Sequence, residues 1–284
     1  MTEHNQRELE AGIERDLGGR MTYASYLHLD TLLAAQQPLS DPPYHDELLF
    51  IVQHHVAELW MKLMIHEVRA AMTDLAADHA DQALKKLTRV KRIQDQLFNE
   101  WAVLETMTPH DYLKFRNALG PSSGFQSQQY RTLEFLFGNK HADMLAVFKH
   151  DARAQSALRA VLEAPSLYDV ALRWLARRGH AIDAAILTRN VRAGWQREDS
   201  LLPVFQRIYE APQQYWPEYQ LCETLVDIEE NFQLWRFRHM KAVERIIGYR
   251  KGTGGSSGVG FLKKALDLTF FPELLEVRTR LNGA

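Results

Sequence analysis

The chain has 284 residues, of which 46% are hydrophobic and 25% are charged, as is typical of a globular protein large enough to bury an extensive core. The 34 Lys and Arg residues nearly balance the 36 Asp and Glu residues, so the net charge of −2 gives no electrostatic reason to expect nucleic acid or an anionic membrane as a partner. Cys222 is the only cysteine, which excludes an internal disulfide, a cysteine-rich zinc site, an iron–sulfur cluster and covalently attached haem.

The first 20 residues form a polar segment without an apolar core of signal-peptide length. No run of 18 apolar residues occurs anywhere in the sequence, so we expect no membrane-spanning segment. We predict a flexible N-terminal tail at 1–20, a single domain at 21–284, and a cytoplasmic location, in keeping with the single cysteine.

Long stretches without proline follow the tail, at 44–108, 122–164, 166–202 and 218–271. They are rich in Ala, Leu, Glu, Gln and Arg, which favour helices. Apolar residues recur at intervals of three and four in two of these stretches, at Leu49, Val52, Val56, Leu59 and Leu63 and at Leu221, Leu225, Ile228, Phe232 and Trp235. Alternation of period two is missing from the sequence, so the predicted fold class is all-α.

The segment GTGGSSGVG at 252–260 holds five of the fifteen glycines and precedes a packable apolar stretch, so we interpret it as a candidate site loop. It does not fit a dinucleotide fingerprint, because Ser257 stands where the third glycine is required. A Gly-Lys-Ser/Thr phosphate loop is absent, and no histidine has the glutamate three residues before it that a di-iron bundle requires. The sequence HEVRA at His66 also lacks the second histidine of a zinc protease helix.

Single residues therefore remain as candidates for chemistry, and each has a structural alternative. His54 lies on the same predicted helical face as Phe50, which a buried structural histidine would also do. The adjacent His55 points toward a more polar face, where solvent explains it. His239 and Arg116 are open to the same question, since a packed histidine and a surface arginine are common in any helical protein.

Four segments favour a functional role for these residues over a structural one. They are MTYASYLHLDTLL (21–33), DELLFIVQHHVAELWMKLMIHE (46–67), DYLKFRNALGPSSGFQSQQYR (111–131) and LWRFRHMKAVERIIGYRKGTGGSSGVGFLKKAL (234–266). They resemble the signature segments of the tryptophan 2,3-dioxygenase family, in order, along almost the whole chain after residue 20. The resemblance implies an all-helical protein with haem b, ferrous in its active form, that is usually a homotetramer. It implies oxidative opening of the pyrrole ring of L-tryptophan by dioxygen to give N-formyl-L-kynurenine, the first step of the kynurenine route.

The resemblance also assigns residues on the two sides of the haem. The proximal haem ligand falls on His239, and a neutral imidazole is the usual ligand of an oxygen-handling haem. The distal histidine follows Phe-Ile-x-Gln and therefore falls on His54, while Phe50 forms part of the indole pocket. The family commonly has a polar residue at the next position, where this chain has His55, and we give that residue no chemical role. Whether His54 removes the indole proton or only accepts a hydrogen bond from it stays open.

By the same resemblance, Arg116 holds the carboxylate of tryptophan through two parallel hydrogen bonds, and the Tyr112 hydroxyl adds another. Thr253, in the glycine-rich loop, offers its hydroxyl to the ammonium or carboxylate group of the substrate. Ser123 and Gly124 match residues of the family that lie beside the haem.

Tyr23 and Tyr26 match residues that line the indole pocket of a neighbouring subunit.

Two other classes of protein remain possible from the sequence. A haem sensor or carrier needs His239 but not Arg116, and a non-catalytic helical interaction protein needs neither.

Overall fold

The computed structural model describes residues 7–281, so the first six residues of the predicted tail and residues 282–284 lie outside it. Within that range the chain contains helices, turns and irregular segments but no β-strand, which confirms the predicted all-α class. The α-helices are α1 Tyr23–Leu27, α2 Leu29–Leu33, α3 His45–Ala76, α4 Ala80–Asn99, α5 Trp101–Leu104, α6 Pro109–Phe115, α7 Gln128–Phe137, α8 Ala152–Glu163, α9 Leu167–Arg177, α10 Ala184–Leu187, α11 Leu202–Glu210, α12 Trp216–Ile247, α13 Val259–Lys264 and α14 Pro272–Glu276.

Short 3₁₀ helices join several of these elements. They span Arg116–Leu119, Gly124–Gln126, Ala142–Phe148, Asp199–Leu201 and Val277–Arg280. The first two lie in the connection between α6 and α7, which contains the sequence PSSG at 121–124.

Local sequence signals explain where the helices near the site begin and end. The Thr108 hydroxyl accepts a hydrogen bond from the Asp111 amide at 3.3 Å, and Pro109 occupies the first turn of α6. Pro217 likewise lies in the first turn of α12, where its missing N–H costs nothing, so this helix begins slightly before the proline-free stretch that predicts it. Helix α12 ends at Ile247, and the next residue, Gly248, has a φ of 59°, in the left-handed region that glycine tolerates.

Three long helices organise the core. Helices α3 and α12 have 32 residues each, about 48 Å at 1.5 Å per residue, and α4 packs against both. The predicted apolar face of α12 is confirmed, because Leu221, Leu225 and Ile228 are buried in this core.

The apolar face that predicts α3 turns out to be largely exposed. Leu59 is 47% exposed and Val52 41% exposed, whereas Met64 and Val68 on another face are fully buried. The residue spacing therefore indicates the helix correctly but not the side that packs, because the described part of this chain covers only the other side.

Helix α3 is also long and apolar enough to cross a membrane, judged by its length and composition alone. A single such helix is weak evidence for a membrane span, because the core helix of a soluble protein can be equally long and apolar. Helix α3 packs against α4, α7 and α9.

A second, smaller apolar cluster positions the candidate site. It joins α5, α6 and the C-terminal part of α12, and Phe50 of α3 packs against it. Its buried members are Trp101, Leu104, Met107, Tyr112, Phe115, Ala242 and Ile246.

Candidate active site

His54 lies in the first third of α3, and one of its ring nitrogens makes a hydrogen bond within that helix. Its Nδ1 lies 2.7 Å from the Phe50 carbonyl oxygen, one helical turn earlier, and a carbonyl can only accept. The proton of the neutral ring therefore lies on Nδ1, and Nε2 is left as an acceptor. Burial lowers the pKa of His54, so the ring is neutral at pH 7.

His239 lies on α12, two turns before that helix ends. Its ring stacks on Trp101 with the ring centroids 4.8 Å apart and the planes at 12°, and Trp235 contacts it at 5.5 Å. Burial, with a smaller contribution from the neighbouring His54, lowers the pKa of His239 to about 4. Because His54 lowers the pKa of His239, the two neutral imidazoles, from α3 and α12, lie near each other.

Aromatic rings extend the site from His54 toward α6. The Phe50 ring lies 4.2 Å from His54, 5.6 Å from Phe115 and 6.0 Å from Tyr112, measured between ring centroids. Burial raises the pKa of the Tyr112 hydroxyl, while the Arg116 guanidinium beside it opposes that shift. The α6 spacing of four residues therefore brings Tyr112 and Arg116 to one point, at the edge of the aromatic wall.

Arg116 directly follows α6, and its side chain reaches the start of the glycine-rich loop. Its Nη2 donates to the Lys251 carbonyl oxygen at 2.5 Å, and its Nε–H is buried without a partner among residues 7–281. One edge of the guanidinium is thus attached to the loop, and a buried N–H remains to be satisfied. A carboxylate is the partner that this group prefers.

The glycine-rich loop lies directly on the PSSG segment. The Thr253 hydroxyl donates to the Ser122 carbonyl oxygen. A Cβ at Gly254 would come within 2.8 Å of the Ser123 Cβ, so only glycine allows this approach. The backbone around Thr253 therefore lies close to Ser123 and Gly124. The Thr253 hydroxyl itself is hydrogen-bonded to the Ser122 carbonyl.

Ser123 and Gly124 begin a 3₁₀ turn rather than presenting free side-chain groups. The Ser123 hydroxyl accepts from the Phe125 amide at 3.4 Å, and the Ser123 amide donates to the Gln126 side chain. The structure thus places both residues beside the loop that holds Thr253.

Tyr23 and Tyr26 stand apart from this cluster. Both lie on α1, and their side chains are 77% and 69% exposed. The chain's own His54, Phe50 and Tyr112 make no ring contact with them in the described residues.

Several residues of the site carry no sequence signal of their own. Trp101 and Trp235 enclose the His239 ring, and the indole nitrogens of both are buried without partners among the described residues. The Lys251 carbonyl is invisible to motif reasoning because it is a backbone group. Trp235 could have been found from its place four residues before His239, on the same helical face.

The residues present fit a haem. His239 has a neutral ring with an aromatic wall, and its ring nitrogens make no hydrogen bond within residues 7–281, so one of them is available to bind a haem iron. The surrounding cluster is apolar and aromatic, as suits a macrocycle.

Comparisons with known proteins find similar chains in one family. The model of a family described as tryptophan 2,3-dioxygenase matches residues 7–186 and 168–281. A tryptophan 2,3-dioxygenase from Kineococcus radiotolerans is 59% identical over 281 residues, covering 99% of this chain and 98% of the relative. Those from Xanthomonas campestris pv. campestris and Serratia proteamaculans are also 59% identical, cover 98% of this chain, and are themselves covered to 93% and 100%.

Proposed function

The chain belongs to the tryptophan 2,3-dioxygenase family, and we propose that it works with haem b held by His239. As an enzyme of this family it cleaves the C2–C3 bond of the indole ring of L-tryptophan with dioxygen and gives N-formyl-L-kynurenine. This reaction is the first step of tryptophan degradation by the kynurenine route. Haem, in its ferrous form, would supply the activation of dioxygen.

The observation that carries the assignment of the site is the pairing of His54 and His239. They come from two different long helices, and both rings are neutral. Both also adjoin the same aromatic cluster, His54 through Phe50 and His239 through Trp101. One neutral imidazole suits the iron, and the other suits the substrate.

His54 is proposed to orient the indole. Because its Nδ1–H is held by the Phe50 carbonyl, its Nε2 can accept a hydrogen bond from the indole N–H of tryptophan. The Phe50 ring, 4.2 Å from His54, would lie against the apolar part of the indole. Addition of oxygen to an electron-rich indole does not formally require loss of the N–H proton, so we propose orientation rather than proton removal.

Arg116 and Tyr112 are proposed to bind the carboxylate of tryptophan. The buried Arg116 Nε–H is a charge-assisted donor, and the Tyr112 hydroxyl lies beside the guanidinium. Thr253 would offer its hydroxyl to the ammonium or carboxylate group after leaving the Ser122 carbonyl. Because Arg116 also donates to the Lys251 carbonyl, the same side chain would contact both the substrate and the start of the glycine-rich loop.

A second copy of the chain is proposed to complete the pocket, within a homotetramer. The large exposed side chains of α1 and the exposed apolar face of α3 support this proposal, because such surface is usually covered in a stable protein. Tyr23 and Tyr26 would then line the indole pocket of the neighbour. Ser123 and Gly124 would lie beside the haem of their own subunit.

Tryptophan-dependent oxygen consumption by the haem-loaded protein tests the function as a whole. We expect a Soret absorption band, one dioxygen consumed per tryptophan, and N-formyl-L-kynurenine as product. A haem sensor or carrier would show the Soret band without tryptophan-dependent oxygen uptake. A non-catalytic interaction protein would stay colourless.

Subunit mixing tests the proposed role of Tyr23 and Tyr26. A variant with both tyrosines changed to alanine supplies intact His54 sites, and His54→Ala supplies intact tyrosines. If the tyrosines act across the subunit boundary, co-expressed hetero-oligomers regain activity that neither variant has alone. Activity of the mixture equal to the average of the two variants contradicts the proposal.

The location is proposed to be the cytoplasm. A buried Cys222, the only cysteine of the chain, suits a reducing compartment.

A further inference from the structure

Two adjacent histidines in α3 point to different partners. His54 contacts Phe50 of its own helix, whereas the Nδ1 atom of His55 lies 3.0 Å from the Nε2 atom of Gln36. Consecutive residues of a helix differ by about 100° in direction, which explains the separation. The sequence gives His55 no chemical role, and the structure gives it a contact with the segment before α3.

That segment, residues 21–36, is here called the N-terminal arm. Its helices α1 and α2 contain no buried residue, and large apolar side chains such as Leu33 (70% exposed) and Tyr23 (77% exposed) face outward. Within the described part of the chain, the contact between Gln36 and His55 is the one hydrogen bond that joins the arm to α3. The position of the whole arm therefore depends on few interactions.

The geometry of Gln36 fixes the direction of this hydrogen bond. Its amide nitrogen also donates to the Leu32 carbonyl oxygen at 2.8 Å, so the other N–H of the same group points at His55. His55 must then accept through an unprotonated Nδ1, and its neutral ring carries the proton on Nε2. Gln36 thus connects the C-terminal end of α2 to the N-terminal half of α3.

A second contact holds the chain just after the arm. The Glu47 carboxylate, 1% exposed, accepts hydrogen bonds from the amides of Leu39 at 2.7 Å and Ser40 at 3.1 Å. Ser40 thus lies beside Glu47, and Gln36 lies beside His55, so the segment between them runs alongside α3. Glu47 and His55 are about 12 Å apart along the helix. Glu47 sets where the chain leaves α3, and His55 sets the direction in which the arm continues.

We propose that His55 is a positioning residue for tryptophan oxidation, which fixes the N-terminal arm through Gln36 and so determines where Tyr23 and Tyr26 are presented. The inference rests on the proposed role of these tyrosines in a neighbouring pocket. His55 does not touch substrate in this account and acts only through the arm. The two histidines therefore serve two different active sites, since His54 faces its own pocket and His55 orients residues for another.

The test uses the haem-loaded, full-length oligomer and three substitutions. His55→Ala removes the acceptor, Gln36→Ala removes the donor, and His55→Asn keeps an acceptor oxygen near the position of Nδ1. His66, exposed on the same helix and without a hydrogen bond to another described residue, provides the matched control as His66→Ala. The readouts are hydrogen–deuterium exchange of residues 23–36, KM and kcat for L-tryptophan, and the Soret spectrum.

We expect His55→Ala and Gln36→Ala to speed exchange in the arm and to raise KM roughly threefold to tenfold, the scale of one lost hydrogen bond. The kcat and the Soret band should stay unchanged, because the haem and His54 are untouched. His55→Asn should restore both exchange and KM, and the double variant should be no worse than either single variant. His66→Ala should behave as the unmodified protein.

Unchanged arm exchange in His55→Ala overturns the proposal, as does a KM that rises equally in His66→Ala. Tyr26→Ala reports separately on the proposed function of the arm. If it leaves KM unchanged while His55→Ala still loosens the arm, the arm does not serve the pocket, and His55 is only a structural anchor. If Tyr26→Ala raises KM and His55→Ala changes neither readout, the arm serves the pocket but His55 does not position it.

Discussion

His54→Ala removes the acceptor that we propose for the indole N–H of tryptophan. In the structure, the Phe50 carbonyl lies 2.7 Å from Nδ1, which fixes the ring and leaves Nε2 unprotonated. In the variant, the N–H of the bound substrate would be buried without a partner. The ring contact with Phe50, at 4.2 Å between centroids, would also be lost.

The expected cost follows from these two losses. A buried donor left without a partner costs about 1–3 kcal/mol, and lost packing brings the total toward the upper value. Because about 1.4 kcal/mol corresponds to a factor of ten, kcat/KM for L-tryptophan should fall roughly 10-fold to 150-fold. The haem content should not change, since His239 is untouched.

Steady-state product formation by His54→Ala and His54→Gln, with His66→Ala as control, measures this effect. Glutamine can place an acceptor oxygen near the position of Nε2 but cannot act as a base. If His54 orients the indole, His54→Gln keeps more activity than His54→Ala, and 1-methyl-L-tryptophan, which has no N–H, is still turned over slowly. His54→Ala should then accept the methylated substrate better, because the smaller side chain relieves the clash with the methyl group.

Two results would refute this reasoning. An unchanged kcat/KM in His54→Ala, at equal haem content, would show that His54 does not contact the substrate. Equal loss in His54→Gln and His54→Ala, with 1-methyl-L-tryptophan inert in every variant, would show that His54 is an obligatory base.

Three further predictions concern other parts of the site and its support. His239→Ala should lose stable haem binding while remaining helical, as measured by the Soret band and circular dichroism; full haem content with normal turnover would show that another residue is the ligand. Arg116→Lys should lower kcat/KM about tenfold or more, because lysine cannot make two parallel hydrogen bonds to a carboxylate, and an unchanged kcat/KM would exclude Arg116 as the clamp. Burial raises the pKa of Glu100 from 4.5 to about 8, so the folded state binds the extra proton and its stability falls as pH rises from about 5 through 8. Glu100→Gln should therefore raise the melting temperature by roughly 3 °C or more at pH 8 but little at pH 5, and an equal shift at both values would contradict this.

The sequence predicts the helices better than it predicts what covers them. Residue spacing indicates both α3 and α12, and the apolar face of α12 is buried as expected, as Ile228 shows. The corresponding face of α3 is exposed at Val52 and Leu59. Periodicity marks an apolar side of a helix, but whether a segment of the same chain or another subunit covers it depends on tertiary and quaternary packing.

In the candidate site, too, some contacts follow from local sequence and others do not. The four-residue spacing of Tyr112 and Arg116 brings their side chains together, as local helix geometry requires. The contact between Arg116 and the Lys251 carbonyl joins residues 135 positions apart and has no local signal. The roles of His54 and His239 come from a family resemblance, because a single histidine in an amphipathic helix has the same pattern whether it binds a ligand or packs in a core.

A crystal structure of the haem-loaded protein with L-tryptophan, prepared without oxygen, tests the central claim most directly. The account predicts that a ring nitrogen of His239 ligates the iron and that the indole nitrogen lies within about 3.2 Å of the His54 Nε2 atom. The carboxylate of tryptophan should contact Arg116. Iron ligated by a different residue, or an indole nitrogen turned away from His54, would contradict the account.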